Sequence, residues 1–366
     1  MKIAQIAPLS ESCPPQFYGG TERIVYYMTE ELVRQGHEVT LFASGDSRTT
    51  AELVSCCEMG LRLNSEVQNP LPHQIAMLEH VRKRERDFDI LHFHIDFIQF
   101  PMISPFANKT VTTLHGRLDL PDLPPFFSAF RNVPLSSISY HQRIPVPSCA
   151  RWAGNVYHGL PRDRLPFSPA PKGGYLAFLG RISPEKRPDR AIEIAARTGM
   201  PLKIAAKIDK VDHAYWREKI EPMIKATPGV EYIGEINEQQ KGAFLGDAAA
   251  LLFPIDWPEP FGLVMIEAMA CGTPVIAFRC GSVSEVVDDG VSGYVVESID
   301  EAVKAVSRLP GLDRAGVRAA FENRFTAERM AKDYIKIYQS LIGQARQETD
   351  YPRRINGHDL GMRLPI

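Results

Sequence analysis

Short apolar runs rich in Val, Ile and Leu alternate with amphipathic stretches along the first half of the chain. Residues 22–35 repeat apolar side chains at intervals of three and four, which predicts a helix with one buried face that ends at Gly36. The same reasoning predicts a helix over 73–86 and strands over 2–7, 39–43, 90–94 and 110–114. Strands separated by helices indicate βαβ units in a mostly parallel sheet that is covered on both faces.

The pattern restarts after a proline-rich segment between residues 161 and 174, which we interpret as a linker. Helices are then predicted over 190–197 and 215–226, and strands over 175–179, 202–206, 230–233, 249–253 and 274–277. Two modules of similar size, residues 1–165 and 166–326, predict an α/β protein with two Rossmann-like domains that face each other across a cleft. Ligands of such sheets bind at the carboxyl ends of the strands, so we expect the site in the cleft. The polar residues 345–366 predict a loosely held tail.

Composition and charge narrow the class of protein. Lys and Arg number 42 against 44 Asp and Glu in 366 residues, a net charge of −2 that excludes holding nucleic acid by bulk charge. The longest unbroken apolar run, residues 248–253, is far shorter than the roughly 20 residues that cross a bilayer, and the N-terminus does not read as a signal peptide. The six cysteines lack Cys-x-x-Cys spacing and the histidines lack His-Glu-x-x-His spacing, which favours free thiols in a reducing cytoplasm and no metal.

The segment PEPFGLVMIEAMACGTP, residues 258–274, carries the clearest chemistry. Its two prolines keep the start out of a helix, and residues 262–270 then predict a short helix. Glu259 lies just before this helix and Glu267 lies within it, while the free N–H groups of the first turn favour an anion. The segment therefore suits a ligand with hydroxyls at both ends and phosphates between them.

Two further segments follow predicted strands. FLGRISPEKRP, residues 178–188, follows a predicted strand and precedes a predicted helix, so it places the cations Arg181 and Lys186 at the strand's carboxyl end. Gly19 and Gly20, in the sequence Tyr-Gly-Gly-Thr-Glu after the first strand, allow the backbone to approach a ligand closely.

In this order, the motifs resemble glycosyltransferase family 4 over about residues 1–340, and the resemblance implies the two-domain GT-B fold. It implies that Glu267 binds the ribose hydroxyls of a donor nucleotide and that Glu259 contacts the donor sugar. It also implies that the last helix, about 327–342, crosses back onto the N-terminal domain. The donor-binding residues expected from the motifs and the resemblance together are Gly20, Arg181, Lys186, Lys207, Glu259, Phe261, Gly262, Leu263, Val264 and Glu267.

Some positions depart from the family's pattern or match it only in turns. Lys207 follows the strand at 202–206, where the family often carries Gly-x-Gly, and it points either at the diphosphate or at solvent. His158 replaces the Asn of a usual Asn-Gly turn at the domain junction, which leaves its role open. The family-like turns around Gly281 and Glu285 are interpreted mainly as structural turns near the nucleotide base.

Histidines mark the N-terminal side of the expected cleft. His92 and His94 alternate on one face of a predicted strand, and His115 ends the next strand. The resemblance places a histidine near the reacting sugar at the position of His94, which would orient the sugar or the acceptor, with His115 as a second candidate. Gln142 and Arg143, after a further predicted strand, are expected acceptor contacts. The expected catalytic residues are His94, Arg181, Lys186 and Glu259.

The resemblance implies a retaining glycosyltransferase that moves a hexose from a nucleotide-sugar to a hydroxyl of a sugar, a lipid-linked or a small-molecule acceptor. UDP-glucose is the first expectation for the donor and GDP-mannose the second, from their frequency in the family; no metal or other cofactor is expected. The basic helix end at residues 82–86 is either a peripheral membrane contact or a solvated terminus. The alternatives are another GT-B enzyme, such as a nucleotide-sugar epimerase, and a non-catalytic sugar-nucleotide binding protein.

Overall fold

The computed structural model describes residues 1–16 and 19–350, with side chains through residue 345. The fold is α/β, with two separate parallel sheets of seven and six strands, as the alternation of strands and helices predicts. Tyr18 of the predicted Gly-Gly motif and residues 351–366 of the predicted tail lie outside the described residues.

The first sheet is built from residues 2–155 and has the strand order β3-β2-β1-β4-β5-β6-β7. Every neighbouring pair is parallel. Its strands are β1 (Lys2–Ile6), β2 (Glu38–Ser44), β3 (Glu52–Cys57), β4 (Ile90–Phe93), β5 (Thr110–Thr113), β6 (Leu135–Ser137) and β7 (Trp152–Asn155). Its helices are α1 (Gly20–Arg34), α2 (Leu71–Arg84), α3 (Phe100–Ile103) and α4 (Leu123–Ala129).

The second sheet has the order β10-β9-β8-β11-β12-β13 and is also parallel throughout. Its strands are β8 (Leu176–Arg181), β9 (Leu202–Lys207), β10 (Val230–Gly234), β11 (Ala250–Phe253), β12 (Val275–Phe278) and β13 (Gly293–Val296). The accompanying helices are α5 (Pro188–Thr198), α6 (His213–Tyr215), α7 (Glu221–Ala226), α8 (Glu238–Gly246), α9 (Leu263–Ala270), α10 (Val283–Val286), α11 (Ile299–Arg308) and α12 (Arg314–Arg324). A π-helical turn, Trp216–Ile220, joins α6 to α7 within the predicted helix 215–226.

The last helix, α13 (Ala327–Asp350), follows the second sheet in sequence but lies against the first. Its Tyr334 and Tyr338 are buried and hydrogen-bond to side chains of strands β1, β4 and β5. The helix continues through residues 345–350, which the sequence assigns to a tail.

Three strands were not predicted, and each has a local reason. β3 lies at a sheet edge and is half-exposed, so its sequence Glu-Leu-Val-Ser-Cys-Cys is too polar to stand out. β7, with the sequence Trp-Ala-Gly-Asn, and β13, which starts at a glycine, both lie at edges as well. Edge strands gain part of their stability from a single neighbour, which their own sequences do not reveal.

Within residues 1–16 and 19–350, no helix is both long enough and apolar enough to cross a membrane. The basic end of α2 is bound to carboxylates: Arg82 donates to Glu79 at 2.6 Å, and Arg84 donates to Glu52 at 2.8 Å. All six cysteines are free thiols.

Candidate active site

A cavity of about 720 Å³ lies between the two sheets, at the carboxyl ends of their strands. From the first sheet, the cavity is lined by the loop after β1 and by His115, which lies two residues beyond the end of β5. The ends of β8 and β9 and the start of α9 line it from the second. The predicted position of the site, at the carboxyl ends of two facing sheets, therefore coincides with a cavity of ligand size.

The structure brings every predicted donor-binding residue to the wall of this cavity. The ten positions are Gly20, Arg181, Lys186, Lys207, Glu259, Phe261, Gly262, Leu263, Val264 and Glu267. Their sequence separation spans almost 250 positions, so only the facing arrangement of the two sheets puts them together. The roles of the individual residues stay predictions.

The start of α9 depends on two glycines. Gly262 caps the helix at a φ of +77°, and a Cβ there would crowd Phe253, so the helix begins at Leu263, one residue later than predicted. Gly281, at a φ of +59°, lies against the backbone of Glu259, where any Cβ would overlap it. The adjoining Ser282 donates its backbone N–H to the Glu259 carbonyl at 3.0 Å. This turn therefore holds the loop that carries Glu259.

Glu285 lies elsewhere than expected. The cavity wall does not include it, and its carboxylate accepts the backbone N–H groups of Tyr140 and His141, each at 2.7 Å, and the hydroxyl of Tyr157 at 3.0 Å. These three partners belong to the first half of the chain. Glu285 therefore joins the two domains beside the cavity, a tertiary role that its sequence motif does not reveal.

The cations of the cavity are paired with carboxylates. Lys186 forms an ion pair with Glu259, whose Oε2 also accepts from the indole N–H of Trp257 at 3.0 Å. The Lys186 ammonium lies 4.7 Å from the centre of the Trp257 ring. Arg181 donates to Glu185 at 2.5 Å. These contacts therefore hold the positive charges of the site in fixed positions.

Lys207, for which two orientations were open, lies on the cavity wall. Its ammonium is 2.9 Å from Asp209, a carboxylate that also lies 3.6 Å from Arg181. Within the described part of the chain, no group of three or more His, Cys, Asp or Glu side chains is placed to hold a metal ion.

Glu267 belongs to an ionic chain that sequence reasoning missed. Lys241, buried on α8, lies 2.7 Å from both Glu267 and Glu238. Glu238 in turn pairs with Arg23 of α1 at 3.1 Å, so the chain crosses from one domain to the other. Burial would lower the pKa of Lys241, but the two carboxylates raise it above its usual value. The sequence around Lys241 gives no signal of this role, because only the fold brings the lysine between the two carboxylates.

The predicted catalytic histidine does not reach the cavity. His94 is 2% exposed and lies behind His115, with His94 Nδ1 2.9 Å from His115 Nε2. His115 does line the cavity and stacks on His158, another lining residue, at 5.2 Å between ring centres. Burial lowers the pKa of His115 to about 3 and those of His94 and His158 well below the usual value. His115 and His158, and not His94, therefore line the cavity, while the catalytic role of each histidine stays a prediction.

Gln142 and Arg143, predicted to contact the acceptor, do not line the cavity. The buried amide of Gln142 donates to the carbonyls of Leu114 and Gly116, at 2.9 and 2.8 Å, and so fixes the loop that carries His115. Arg143 donates to Ser137 at 2.7 Å. Both side chains turn inward because the short helical turn after β6 directs them at backbone and sheet rather than at the cleft.

Two family models match the chain in sequence order. The model described as Glycosyltransferase Family 4 matches residues 18–153, and the model described as Glycosyl transferases group 1 matches residues 162–311. Together they cover most of the chain, and the second match begins within the segment predicted to link the domains.

Curated proteins and solved structures give the same picture. The phosphatidyl-myo-inositol mannosyltransferase of Mycobacterium leprae is 24% identical over 379 residues, 93% of this chain and 97% of the relative. A D-inositol 3-phosphate glycosyltransferase of Salinispora tropica is 32% identical over 208 residues, 51% of this chain and 42% of the relative.

Among solved structures, AviGT4, a glycosyltransferase involved in avilamycin A biosynthesis, superposes with a TM-score of 0.68 at 23% identity, covering 94% of this chain and 98% of that one. HepE of Anabaena in complex with UDP gives 0.71 at 16% identity, covering 93% of this chain and all of the other. The predicted fold is thereby confirmed, and the chain belongs to glycosyltransferase family 4, an enzyme family with the two-domain GT-B architecture.

Proposed function

We propose that this glycosyltransferase moves a hexose from a nucleoside diphosphate sugar to an acceptor hydroxyl, with retention of configuration and without a metal. The observation that supports it is the arrangement of charge in the cavity. Fixed cations at Arg181 and Lys186 lie at the end of β8, the first turn of α9 faces the same space, and Glu259 and Glu267 stand on either side of that turn. A diphosphate flanked by a sugar and a ribose has the matching polarity.

Binding of the donor would replace ion pairs that the charged side chains of the cavity already form with one another. The diphosphate would bind to Lys186 and Arg181. Its negative charge increases as the sugar–phosphate bond breaks, so the two cations would stabilise it more strongly at that stage. Lys186 would then leave Glu259, and that carboxylate would accept hydroxyls of the donor sugar. Glu267, held by Lys241, would accept the ribose hydroxyls.

The histidines of the cleft favour retention over inversion. An inverting reaction needs a general base on the acceptor, and burial lowers the pKa values of His115 and His158, which weakens both rings as bases. In the retaining route, the leaving phosphate itself takes the acceptor proton. His115 would then contact the bound sugar or acceptor from the wall of the cavity.

The names of relatives and of structural neighbours point to two donors. HepE was solved with UDP-glucose, which supports UDP-glucose as the first candidate. The mycobacterial relatives are mannosyltransferases, which supports GDP-mannose as the second. Several relatives also have inositol in their names, so acceptors with a ring of hydroxyls should be tested first.

A nucleotide-release assay tests the proposal. Candidate donors are first ranked by the rise in melting temperature that each produces, and the best is incubated with a panel of hydroxyl acceptors. We expect nucleoside diphosphate release that needs both substrates and that survives excess chelator. The anomeric coupling in the NMR spectrum of the product should show retention. Strict dependence on Mg²⁺ or Mn²⁺, or an inverted product, would contradict the proposal.

Variants separate the alternatives. Lys186→Ala is expected to abolish release, while Lys210→Ala, an exposed lysine outside the cavity wall, is expected to leave it unchanged. An epimerase would change the donor sugar without any acceptor, and a binding protein would shift in melting temperature with no release at all. Equal turnover in the two lysine variants would contradict the diphosphate assignment.

A further inference from the structure

Trp257 precedes Glu259 by two positions and is half-buried, and it does not belong to the residues that line the cavity. Pro258 and Pro260 flank Glu259, and each proline restricts its own φ to about −65°, so the main chain there has little freedom. Glu259 also donates its backbone N–H to the Trp257 carbonyl at 2.7 Å. The main chain around Glu259 is therefore fixed, and the direction of its side chain remains to be set.

Two donors meet on a single oxygen of Glu259. Its Oε2 accepts the indole N–H of Trp257 at 3.0 Å and also forms the ion pair with Lys186. Oε1 accepts no hydrogen bond from any described residue, and it is not one of the atoms that are buried without a partner. The carboxylate therefore has one oxygen bound to the protein and one that is accessible beside the cavity that Glu259 lines.

The indole ring is held by side chains from both domains. The Lys186 ammonium lies 4.7 Å from the centre of the Trp257 ring, and the guanidinium of Arg117, on the loop after β5, lies 6.0 Å from it. Both distances are within the range of cation–π attraction. Arg117 is in turn held by Asp119, to which its Nε donates at 2.7 Å. The ring therefore has little freedom to turn, and its N–H stays directed at Glu259.

The two donors on Oε2 respond differently to a diphosphate. An ammonium carries a full charge, so a diphosphate would attract Lys186 away from Glu259, whereas the neutral indole N–H is attracted far less. The side chain of Glu259 is only 13% exposed, and a carboxylate with so little water around it is costly to leave without a donor. Among the described residues, Trp257 supplies the donor that remains on Oε2 once Lys186 has moved.

We infer that Trp257 is a positioning residue for Glu259. Its indole N–H holds Oε2 when Lys186 turns to a diphosphate, so that Oε1 stays directed at the donor sugar. The diphosphate and the sugar rest on the proposed function. The bond between Trp257 and Glu259, and its independence of Lys186, are properties of the free protein.

Proton–nitrogen NMR of the free protein tests this independence. The chain has three tryptophans, so a sample labelled with ¹⁵N-tryptophan gives three indole N–H signals, and their comparison with Trp257→Phe identifies one of them. Glu259→Ala should speed the exchange of that N–H with water by about tenfold, the effect of one hydrogen bond. Lys186→Met should leave the exchange rate nearly unchanged, as should the control Glu267→Ala.

Two results of the exchange measurement would overturn the inference, whatever the enzyme's activity. One is an exchange rate that Glu259→Ala does not change, because the indole N–H would then not be bound to that carboxylate. The other is an exchange rate that rises as much in Lys186→Met as in Glu259→Ala, because the bond would then depend on Lys186.

Binding measurements separate positioning from stability. Calorimetric titrations compare UDP-glucose and GDP-mannose with UDP and GDP, the same diphosphates without the sugar. Trp257→Phe keeps an aromatic ring beside Lys186 but removes the N–H, so it should weaken binding of the sugar nucleotide by about tenfold and leave diphosphate binding almost unchanged. Trp216→Phe alters a tryptophan of the same domain that packs on Tyr232 outside the cavity wall, and it should change neither.

Equal losses for the two kinds of ligand in Trp257→Phe would contradict the role of Trp257, because the diphosphate has no sugar for Glu259 to hold. A wild-type protein that binds neither sugar nucleotide would instead refute the proposed function. The exchange measurement alone would then decide whether Trp257 holds Glu259 without Lys186.

Discussion

Acid should destabilise this protein through its buried histidines. His92, His94 and His158 are at most 4% exposed, and burial holds the pKa of each well below its usual value. In the unfolded chain the same rings titrate near the ordinary value of about 6.5. Below that pH the unfolded state binds protons that the folded state does not, so stability falls as the pH falls. Well above pH 6.5 the rings are neutral in both states, so stability no longer changes with their titration.

The size of the effect follows from proton linkage. Between pH 7.5 and 5.5, a histidine that stays neutral when folded and titrates near 6.5 when unfolded costs about 1.4 kcal/mol of stability. Three such rings together cost about 4 kcal/mol, a large part of the roughly 5–15 kcal/mol that holds a typical domain.

Urea unfolding at the two pH values measures one ring at a time. His92→Gln removes one buried titrating group, so its loss of unfolding free energy between pH 7.5 and 5.5 should be smaller than that of the wild type by about 1.4 kcal/mol. His80→Gln, an exposed position on α2, is the matched control and should keep the wild-type loss. An identical pH dependence in His92→Gln and the wild type would refute the claim that His92 is neutral in the folded protein.

The remaining predictions concern the donor site. Gly281→Ala should lower activity strongly, because its methyl group would overlap the backbone of Glu259. Gly290→Ala, also at positive φ but with open space around it, should cost only about 1–2 kcal/mol of stability. Activity assays and urea unfolding of both variants check this. Lys241→Met should raise the donor Kd by about tenfold, since it leaves the carboxylate of Glu267 buried without its cation, and calorimetric titration with the nucleoside diphosphate measures it. An unchanged Kd would show that the ion pair does not position Glu267.

Local motifs predicted the donor side of the cleft well. Arg181, Lys186, Glu259 and Glu267 lie in short segments where strand ends, helix starts and charges follow one another in sequence, so spacing alone carries the information. The parallel topology then brings separate segments to the same edge, as it must when every strand points the same way.

The N-terminal wall of the cavity was harder to place from the sequence, because its residues pack against partners that are distant in sequence. His94 and His115 look alike as histidines at strand ends, and only the packing of β1 against β4 shows that one lies behind the other. Gln5 of β1, which hydrogen-bonds to His94, gives no signal except a polar residue within an apolar strand, and its partner Tyr338 is 333 positions away. Lys241 was missed for the same reason, since its two carboxylates identify it and its own sequence context does not.

The pairing of charges within the cleft also bears on the order of events in the proposed reaction. Lys186 cannot bind a diphosphate and keep its ion pair with Glu259 at full strength, because one ammonium would serve two anions. In the proposed reaction, binding of the phosphates would therefore free the Glu259 carboxylate when the donor sugar arrives beside it. The loop that carries Glu259 is held by the turn at Gly281, so the freed carboxylate remains directed at the cavity. A nucleoside diphosphate without a sugar would leave that carboxylate without a hydroxyl partner, so the intact donor should bind more tightly than its product, which favours turnover over product inhibition.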